Sequence, residues 1–348
     1  MSTQASPPMR FAFVGDIYLG PGEEPWISAD IPDLHRDLGV DVVVGNFESV
    51  VDGTEVGCPH PGKIHLSTPR SSLVKLKDMG VDVVSVANNH IGDYGPKAAR
   101  HTIEVLGEVF GGENVFGWSG CPVAELAPGI SIAAACFSET NPVTLDDESR
   151  ICAPKDLQQL AAHRSASDEK LVVYAHWGEE YLSLTAPNLR VRARALRSGG
   201  AAHVVGTHSH VVGAAERIGG FSATYGLGNF LFHVVRPGNT RMLRRTKQGT
   251  VAVFSWDGTA VSLDEFWRSE FDENLNLRVR KIARSTPGSK FAQMHLRLPD
   301  SLAGWSYEAS LASRWFDLGL SRLIEGVERP SFKKVRTVLT QIGGRRSR

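Results

Sequence analysis

Short apolar runs, rich in Val and Ala, recur along the first two thirds of the chain, and each ends in Gly, Asn, Asp or His. Runs of this kind, bounded by turn-forming residues, are typical of buried strands. The pattern therefore predicts six strands, at residues 11–16, 40–48, 81–90, 171–177, 202–210 and 221–229.

Segments with helical periodicity lie between these runs. Pro96 stands where a helix start favours proline, and Gly199 follows the last of these segments, where a helix usually ends. Because strands alternate with helices, the sequence predicts an α/β fold. The predicted helices cover residues 71–79, 96–109, 154–163 and 189–197.

The pattern changes after residue 249. The segments VAVFSWDG, TAVSLDEFW and LNLRVRKI read as antiparallel strands, with a hairpin turn at Asp257-Gly258, and we expect them to complete a second sheet.

The end of the chain shows helical spacing again. Leu311, Trp315 and Leu318 are spaced like one face of a helix. We therefore expect one domain over residues 9–284 and a helical extension with a basic tail over residues 285–348.

Composition limits the function classes. The 38 Lys and Arg balance the 38 Asp and Glu, so no overall field attracts nucleic acid. The four cysteines form no C-x-x-C pair, residues 1–8 have no apolar core of a signal peptide, and no apolar run is long enough for a membrane span. A cytoplasmic protein is expected. Residues 330–348 contain six Lys/Arg and no acid. This segment is either a solvated tail or a patch that binds a phosphate-rich or membrane partner.

Polar residues stand where the predicted strands end. In open α/β sheets the carboxyl ends of strands converge at one edge, so these side chains are expected to meet. His208 and His210, two apart in an extended segment, would point the same way. Each residue alone reads as a turn former, a surface acid or a core histidine, but together they predict a metal site. The set is Asp16, Glu48, Asn89, His90, His176, His208 and His210.

Six motifs, GDIYLG, GNFESVV, ANNHIGDYG, AHWGEEY, GTHSHV and YGLGNFLF, occur in this order within about residues 9–265. In this order they resemble the CapA-like family, the poly-γ-glutamate capsule-biosynthesis proteins, a branch of the calcineurin-type metallophosphoesterases. The resemblance implies a calcineurin-like four-layer α/β/β/α sandwich. It also implies one or two divalent ions, with Mn, Fe, Zn and Co all suited to mixed nitrogen and oxygen ligands.

The resemblance assigns ligand roles. It implies that Asp16 binds the first ion, that Glu48 stands at the bridging position, and that Asn89 and His176 bind the second ion.

Further roles follow in the same way. His208 and His210 would bind one ion each, and His90 would contact the substrate and protonate the leaving group. Glu180 and Asn229 match other recurring positions and are expected to bind substrate in the pocket.

Two residues depart from the metallophosphoesterase pattern. Tyr18 occupies the position of the histidine in the usual D-x-H motif, and Glu48 is one methylene longer than the usual aspartate. The first ion is therefore expected to bind weakly, or the centre to work with one ion.

These observations predict an enzyme, a metal-dependent phosphohydrolase. A metal-activated hydroxide would attack a phosphate ester or related bond, and His90 would donate the proton. The alternatives are poly-γ-glutamate or capsule-type polymer biosynthesis, a tailoring enzyme with metal-assisted amide chemistry, and a non-enzymatic binding protein. The expected partner is a small-molecule or anionic polymer substrate, without nucleic acid or a membrane span.

Overall fold

A computed structural model describes eleven parts of the chain: residues 7–20, 32–59, 64–137, 145, 149–157, 159–160, 168–233, 245–272, 276–282, 287–299 and 301–311. The helices in these parts are α1 (Leu34–Leu38), α2 (Gly53–Val56), α3 (Leu73–Asp78), α4 (Pro96–Phe110), α5 (Pro187–Ser198) and α6 (Lys290–Leu296). Residues 154–157 and 301–311 are also helical.

The strands of the described residues are β1 (Met9–Tyr18), β2 (Val42–Phe47), β3 (Val50–Val51), β4 (Ser67–Thr68), β5 (Val83–Ser85), β6 (Val115–Phe116), β7 (Val123–Ala127), β8 (Ile130–Cys136), β9 (Lys170–His176), β10 (Ala201–Thr207), β11 (Ala215–Ile218), β12 (Phe221–Thr224), β13 (Asn229–Phe232), β14 (Gln248–Trp256), β15 (Val261–Phe271) and β16 (Leu277–Lys281).

The first sheet has the strand order β16-β15-β14-β1-β2-β5-β6, and β13 pairs with the end of β1. Strands β1, β2, β5 and β6 are parallel, whereas β14, β15 and β16 pair antiparallel. The predicted antiparallel strands are therefore confirmed, but the expectation that they complete a second sheet is wrong. They extend the first sheet because β14 pairs antiparallel with β1 through the backbone, over Met9–Phe13 and Ala252–Trp256.

The second sheet has the order β11-β12-β10-β9-β8-β7. Its central strands β8, β9, β10 and β12 are parallel, and β7 and β11 pair antiparallel at the edges. The predicted strand at residues 221–229 is divided between the sheets, since β12 ends at Thr224 and β13 begins at Asn229 in the first sheet. Gly228, with φ of 72°, lies in the bend between them.

The two sheets pack face to face. The ring of Phe13 lies 5.8 Å from that of Tyr174 in the second sheet, and the Tyr174 hydroxyl donates to the backbone oxygen of Val14. Leu76 of α3 and Leu106 of α4 join the same buried cluster from the outer side of the first sheet.

Helices also cover the outer side of the second sheet. Leu189 and Leu196 of α5, with Ala292 and Leu296 of α6, form a separate buried cluster with residues of β9 and β10. The predicted four-layer α/β/β/α sandwich is confirmed. The boundary at residue 284 stays a prediction, and Trp315 and Leu318 lie outside the described residues.

None of the helices in the described part of the chain has the length and apolarity that crossing a bilayer requires.

Candidate metal centre

The carboxyl ends of strands from both sheets meet at one edge of the sandwich. Glu48 directly follows β2, and His176 is the last residue of β9. Asn89 and His90 lie a few residues beyond β5, which ends at Ser85. The structure brings all seven residues of the predicted set to this edge.

Asp16 lies within β1 and not at its end, contrary to the prediction from sequence. Pairing with Asn229 of β13 on one side and with Asn46 of β2 on the other continues the strand to Tyr18. Oδ1 of Asp16 accepts a hydrogen bond of 2.8 Å from Nδ2 of Asn46, and Oδ2 accepts one of 3.0 Å from the backbone N–H of His208. These bonds fix the carboxylate without help from solvent, because the side chain is fully buried.

Glu48 stands at the centre of the histidines. Its Oε1 lies 3.6 Å from Nε2 of His176, 3.7 Å from Nε2 of His210 and 4.0 Å from Nε2 of His90. The side chain is fully buried, and neither carboxylate oxygen accepts a hydrogen bond from the described residues. A buried carboxylate without donors is costly, so this position calls for a cation.

Both ring nitrogens of His176 have polar contacts. Nε2 lies 2.6 Å from Oδ1 of Asn89, and Nδ1 lies 3.1 Å from Oγ1 of Thr207 and 3.2 Å from Nδ2 of Asn46. The ring centroid of His208 is 4.5 Å away. Asn89 and His176 thus offer an oxygen and a nitrogen side by side.

The prediction of an extended backbone through His208 and His210 is wrong. Strand β10 ends at Thr207, and the φ angles of His208 and His210 are 85° and 55°. Non-glycine residues rarely adopt this left-handed region, and such strain is concentrated at functional sites. Both rings still reach the site, with centroids 6.2 Å apart, because the bends turn each ring inward.

The donor atoms form two groups that share Glu48. One group contains Asp16, Glu48 and His210, and the other contains Glu48, His176 and His208. Within each group the candidate ligand atoms lie within 4.8 Å of one another. Buried carboxylates and imidazoles at this spacing fit one or two divalent cations of the mixed-ligand type.

Protonation equilibria agree with a cation site. Burial raises the pKa of Asp16 and, together with the charge of Asp16, raises the pKa of Glu48 well above its ordinary value. Burial and the neighbouring histidines lower the pKa of His176 well below its ordinary value. His176 therefore stays neutral with a lone pair available. The raised pKa values of the two carboxyl groups mean that their charged forms are disfavoured in the fold, and a bound metal ion would compensate that charge.

His90 forms a pair with a buried acid. Its Nδ1 lies 2.7 Å from Oδ2 of Asp93, and the same oxygen accepts the backbone N–H of Leu66 at 2.8 Å. Because the carboxylate oxygen accepts, Nδ1 of His90 carries the hydrogen, and Nε2 faces the centre. The ring is partly exposed, so a substrate can reach it.

Asn229 lies behind His210 and is buried. Its Nδ2 donates to the backbone oxygen of Thr246 at 2.9 Å, so Oδ1 is the atom that faces Nδ1 of His210, also at 2.9 Å. Nδ1 of His210 is therefore the donor, and its Nε2 keeps the lone pair that points towards Glu48. The contacts give Asn229 an orienting position, and its predicted substrate role is untested.

Glu180 lies after β9 and is partly exposed. Its negative charge contributes to the raised pKa of Glu48, which places it within electrostatic reach of the centre. The next residue, Tyr181, was not singled out from the sequence. Its ring lies 5.5 Å from that of His210, and its backbone N–H donates to Ser209.

Sequence reasoning also missed two amides. Nδ2 of Asn88 donates to Oδ1 of Asn46 at 3.3 Å, while Oδ1 of Asn88 accepts the backbone N–H of His90 at 3.0 Å. Asn46 in turn contacts Asp16 and His176. Asn46 lies inside the apolar run that forms β2, and this position could have identified it from the sequence, because a buried amide needs hydrogen-bond partners.

Tyr18, at the position of the absent histidine, supplies no nitrogen. Its ring packs against Phe232 at 5.3 Å, and burial raises the pKa of its hydroxyl to about 12. The phenol therefore stays protonated at neutral pH.

Comparisons with known proteins point to one family. A family model described as bacterial capsule synthesis protein PGA_cap matches residues 10–234. The chain is similar to the PGA biosynthesis protein CapA of Bacillus subtilis (strain 168), with 30% identity over 259 residues, 67% of this chain and 65% of that protein. It is also similar to the capsule biosynthesis protein CapA of Bacillus anthracis, with 30% identity over 208 residues, 55% of this chain and 50% of that protein. The chain thus spans less than two thirds of the length of both relatives.

A solved 5'-nucleotidase from Candida albicans SC5314 aligns with a TM-score of 0.41 and 12% identity, over 76% of this chain and 51% of that chain. A likeness at this level identifies neither a substrate nor a reaction.

Proposed function

Because this chain belongs to the bacterial capsule synthesis family PGA_cap, we propose that it is a metal-dependent hydrolase in the synthesis of an extracellular polymer. The bond that it hydrolyses is that of a phosphate ester, or a related bond. The predicted cytoplasmic location is part of this proposal.

One observation carries the proposal. Both oxygens of Glu48 are buried without a hydrogen bond, and three imidazole nitrogens lie within 4.0 Å of Oε1. Structural ion pairs do not need several imidazoles around one carboxylate, whereas metal centres do.

The residues divide into holding and reacting groups. Asp16, Glu48 and His210 would hold one ion, and His176 and His208 would hold a second ion that shares Glu48, with Asn89 as a further oxygen ligand. When bound, a divalent cation supplies Lewis acidity and lowers the pKa of a coordinated water.

His90 is the group placed to move a proton. It lies at the open side of the centre, and its Nδ1–H is held by Asp93, so Nε2 is directed to the substrate. Its imidazolium form would protonate the departing oxygen, and the Asp93 carboxylate would stabilise that form.

The first experiment measures the metal content of the purified protein and its manganese-dependent hydrolysis of p-nitrophenyl phosphate and bis-p-nitrophenyl phosphate. We expect bound metal and turnover in the parent, and loss of both in His208→Ala. His35→Ala is the matched control, since His35 lies in α1 and pairs with Asp82 away from the site. Absence of metal from the parent, or equal metal in parent and His208→Ala, would refute the metal centre.

A second candidate function rests on the relatives named for PGA biosynthesis, which favour amide chemistry on a polymer of glutamate. The same residues would then polarise an amide carbonyl. Metal binding with no turnover of either phosphate ester, together with cleavage or transfer of a γ-glutamyl amide, would select this function. Binding of such a polymer without any turnover would indicate a binding protein.

A further inference from the structure

Left-handed backbone is concentrated beside the candidate metal centre. Among the described residues other than glycine, five have a positive φ: Asp52, Asp168, Tyr181, His208 and His210. A residue with a side chain keeps this conformation only where its surroundings hold it, and such residues cluster at functional sites. His208 and His210 are candidate ligands, whereas Tyr181 belongs to neither donor group.

Tyr181 is bonded to the residue between the two histidines. Its backbone N–H donates to the backbone oxygen of Ser209 across 2.7 Å. The hydroxyl of Ser209 donates to the backbone oxygen of Val211 at 2.8 Å, and the N–H of His208 donates to Asp16. The loop 208–210 is therefore held at its middle residue by the loop that follows β9, and at its first residue by β1.

The ring of Tyr181 also packs against the imidazole of His210. The two centroids are 5.5 Å apart and the ring planes are tilted by 32°, a spacing typical of aromatic pairs. A second ring, that of Phe232, lies 4.8 Å from the same imidazole at 62°. Together with the hydrogen bond from Nδ1 of His210 to Asn229, these contacts fix the orientation of the imidazole.

His210 depends on such contacts because it lies outside the sheet. Strand β10 ends at Thr207, so no strand pairing holds His210, whose φ is 55°. Its Nε2 lies 3.7 Å from Oε1 of Glu48, on the side where an ion would bind. Residues that orient a ligand from outside the coordination sphere typically change metal affinity by about 10–100-fold.

We propose that Tyr181 is a positioning residue for metal binding, because its ring and its backbone N–H hold His210 and the loop 208–210 in the conformation that binds the ion. This inference rests on the metal centre of the proposed function and not on hydrolysis. His210 shares its donor group with Asp16, and His176 and His208 belong to the other group. Loss of the Tyr181 ring should therefore weaken the binding of one ion and spare the other.

The test is calorimetric titration of Mn²⁺ into the metal-free, full-length protein. Tyr181→Leu retains an apolar side chain without a ring. We expect it to bind the ion held by His210 about 10-fold or more weakly, and the second ion within about 2-fold of the parent. In a centre with one ion, that single affinity should fall. Tyr181→Phe retains the ring and should bind like the parent.

Substitution with Co²⁺ gives a second readout, since the visible absorption of bound Co²⁺ reports the geometry of its ligands. Tyr181→Leu should change the intensities of these bands, and Tyr181→Phe should restore the spectrum of the parent. A residue that only stabilises the fold would behave differently. If Tyr181→Leu lowers the Tm of the metal-free protein but leaves the affinity and the spectrum unchanged, the inference is overturned.

Phe232→Leu removes the second ring beside His210 and should weaken the same ion. This variant keeps the test decisive if Tyr181→Leu does not fold. Phe291→Leu is the matched control, because Phe291 is 57% exposed on α6, and it should bind like the parent. Parental affinity in both Tyr181→Leu and Phe232→Leu would overturn the inference, and so would equal weakening by Phe291→Leu.

NMR of the histidine side chains in the metal-free protein separates this inference from the proposed function. The Nδ1–H signal of His210, identified by its absence in His210→Gln, should be resolved in the parent and in Tyr181→Phe. In Tyr181→Leu it should be lost through exchange with solvent. A parent that binds no ion would refute the proposed function, whereas this comparison would still decide the role of Tyr181. An unchanged signal in Tyr181→Leu would overturn it.

Discussion

His90 donates from Nδ1 to Oδ2 of Asp93 across 2.7 Å, and Asp93 is fully buried. A buried carboxylate behind an imidazole fixes the tautomer of the ring and stabilises its protonated form. The pair is therefore suited to proton donation at the open side of the centre.

Asp93→Asn is expected to lower kcat by about 100-fold, because a neutral amide does not stabilise the imidazolium. The metal content should stay that of the parent, since Asp93 belongs to neither donor group. Steady-state kinetics of the parent and the variant is the measurement. A variant that loses its metal would show a structural role instead, and unchanged kcat would remove His90 as the proton donor.

Glu48→Gln is expected to abolish metal binding and yet to stabilise the metal-free protein. At pH 7.5 the Tm of the metal-free variant should exceed that of the metal-free parent by about 3–6 °C, because a neutral isostere removes a buried charge. Differential scanning calorimetry after chelation measures both proteins.

The pH dependence of this difference follows from the raised pKa of Glu48. Between its ordinary pKa and the raised one, the folded parent binds more protons than the unfolded chain, so the stability of the parent decreases as pH rises. The advantage of Glu48→Gln should therefore shrink between pH 7.5 and pH 5. An advantage that does not change with pH would contradict the assignment.

Gly15→Ala is expected to destabilise the protein by about 3 kcal/mol or more and to reduce metal binding. A Cβ at this position would lie 1.7 Å from the backbone oxygen of Gly228, so β1 would be displaced next to Asp16. Urea unfolding measures the loss. Gly112→Ala is the control, because no heavy atom lies within 4 Å of its added Cβ, and its effect should stay within about 0.5 kcal/mol.

His203 is expected to make stability fall in acid. It is buried between the sheets, where Nδ1 accepts the backbone N–H of Ser222 at 3.1 Å and Nε2 donates to the backbone oxygen of Val261 at 3.0 Å. Burial lowers its pKa. The unfolded chain therefore binds a proton that the folded chain resists, and stability decreases as pH falls from about 6.5 towards the lowered pKa.

Urea unfolding at pH 7.5 and 5.5 tests this prediction. From pH 7.5 to pH 5.5 the stability of the parent should fall relative to that of His203→Gln, because glutamine does not titrate. An equal change of stability in both proteins would show that His203 does not contribute to the pH dependence.

The sequence predicted the α/β fold and the meeting of the polar residues because buried parallel strands leave a periodic signal and their carboxyl ends share an edge. The four-layer sandwich was predicted from the resemblance to the CapA-like family. Glu48 and His176 stand where that reasoning placed them. Their roles as ligands stay a prediction, as do the boundary at residue 284 and the substrate roles of Glu180 and Asn229.

Other features depend on contacts between distant segments, which local patterns do not contain. Asp16 lies within its strand because Asn229, more than two hundred residues later, pairs beside it. The bends at His208 and His210 are not indicated by the local sequence, which predicts a strand that continues through both residues. The position of Asn46 at the site is evident only from its contacts with Asp16 and His176.

The candidate ligands come from both sheets, and this sets an order of events during synthesis. Asp16 is translated early, but its neighbours on the open side of β1 are β13 and β14, which extend to Trp256. A nascent chain that has emerged only as far as Glu48, directly after β2, has both acids and none of the histidines of the donor groups. Binding of a cation at this centre would therefore follow translation of most of the domain, and a shortage of metal would act on finished chains and not on those still attached to the ribosome.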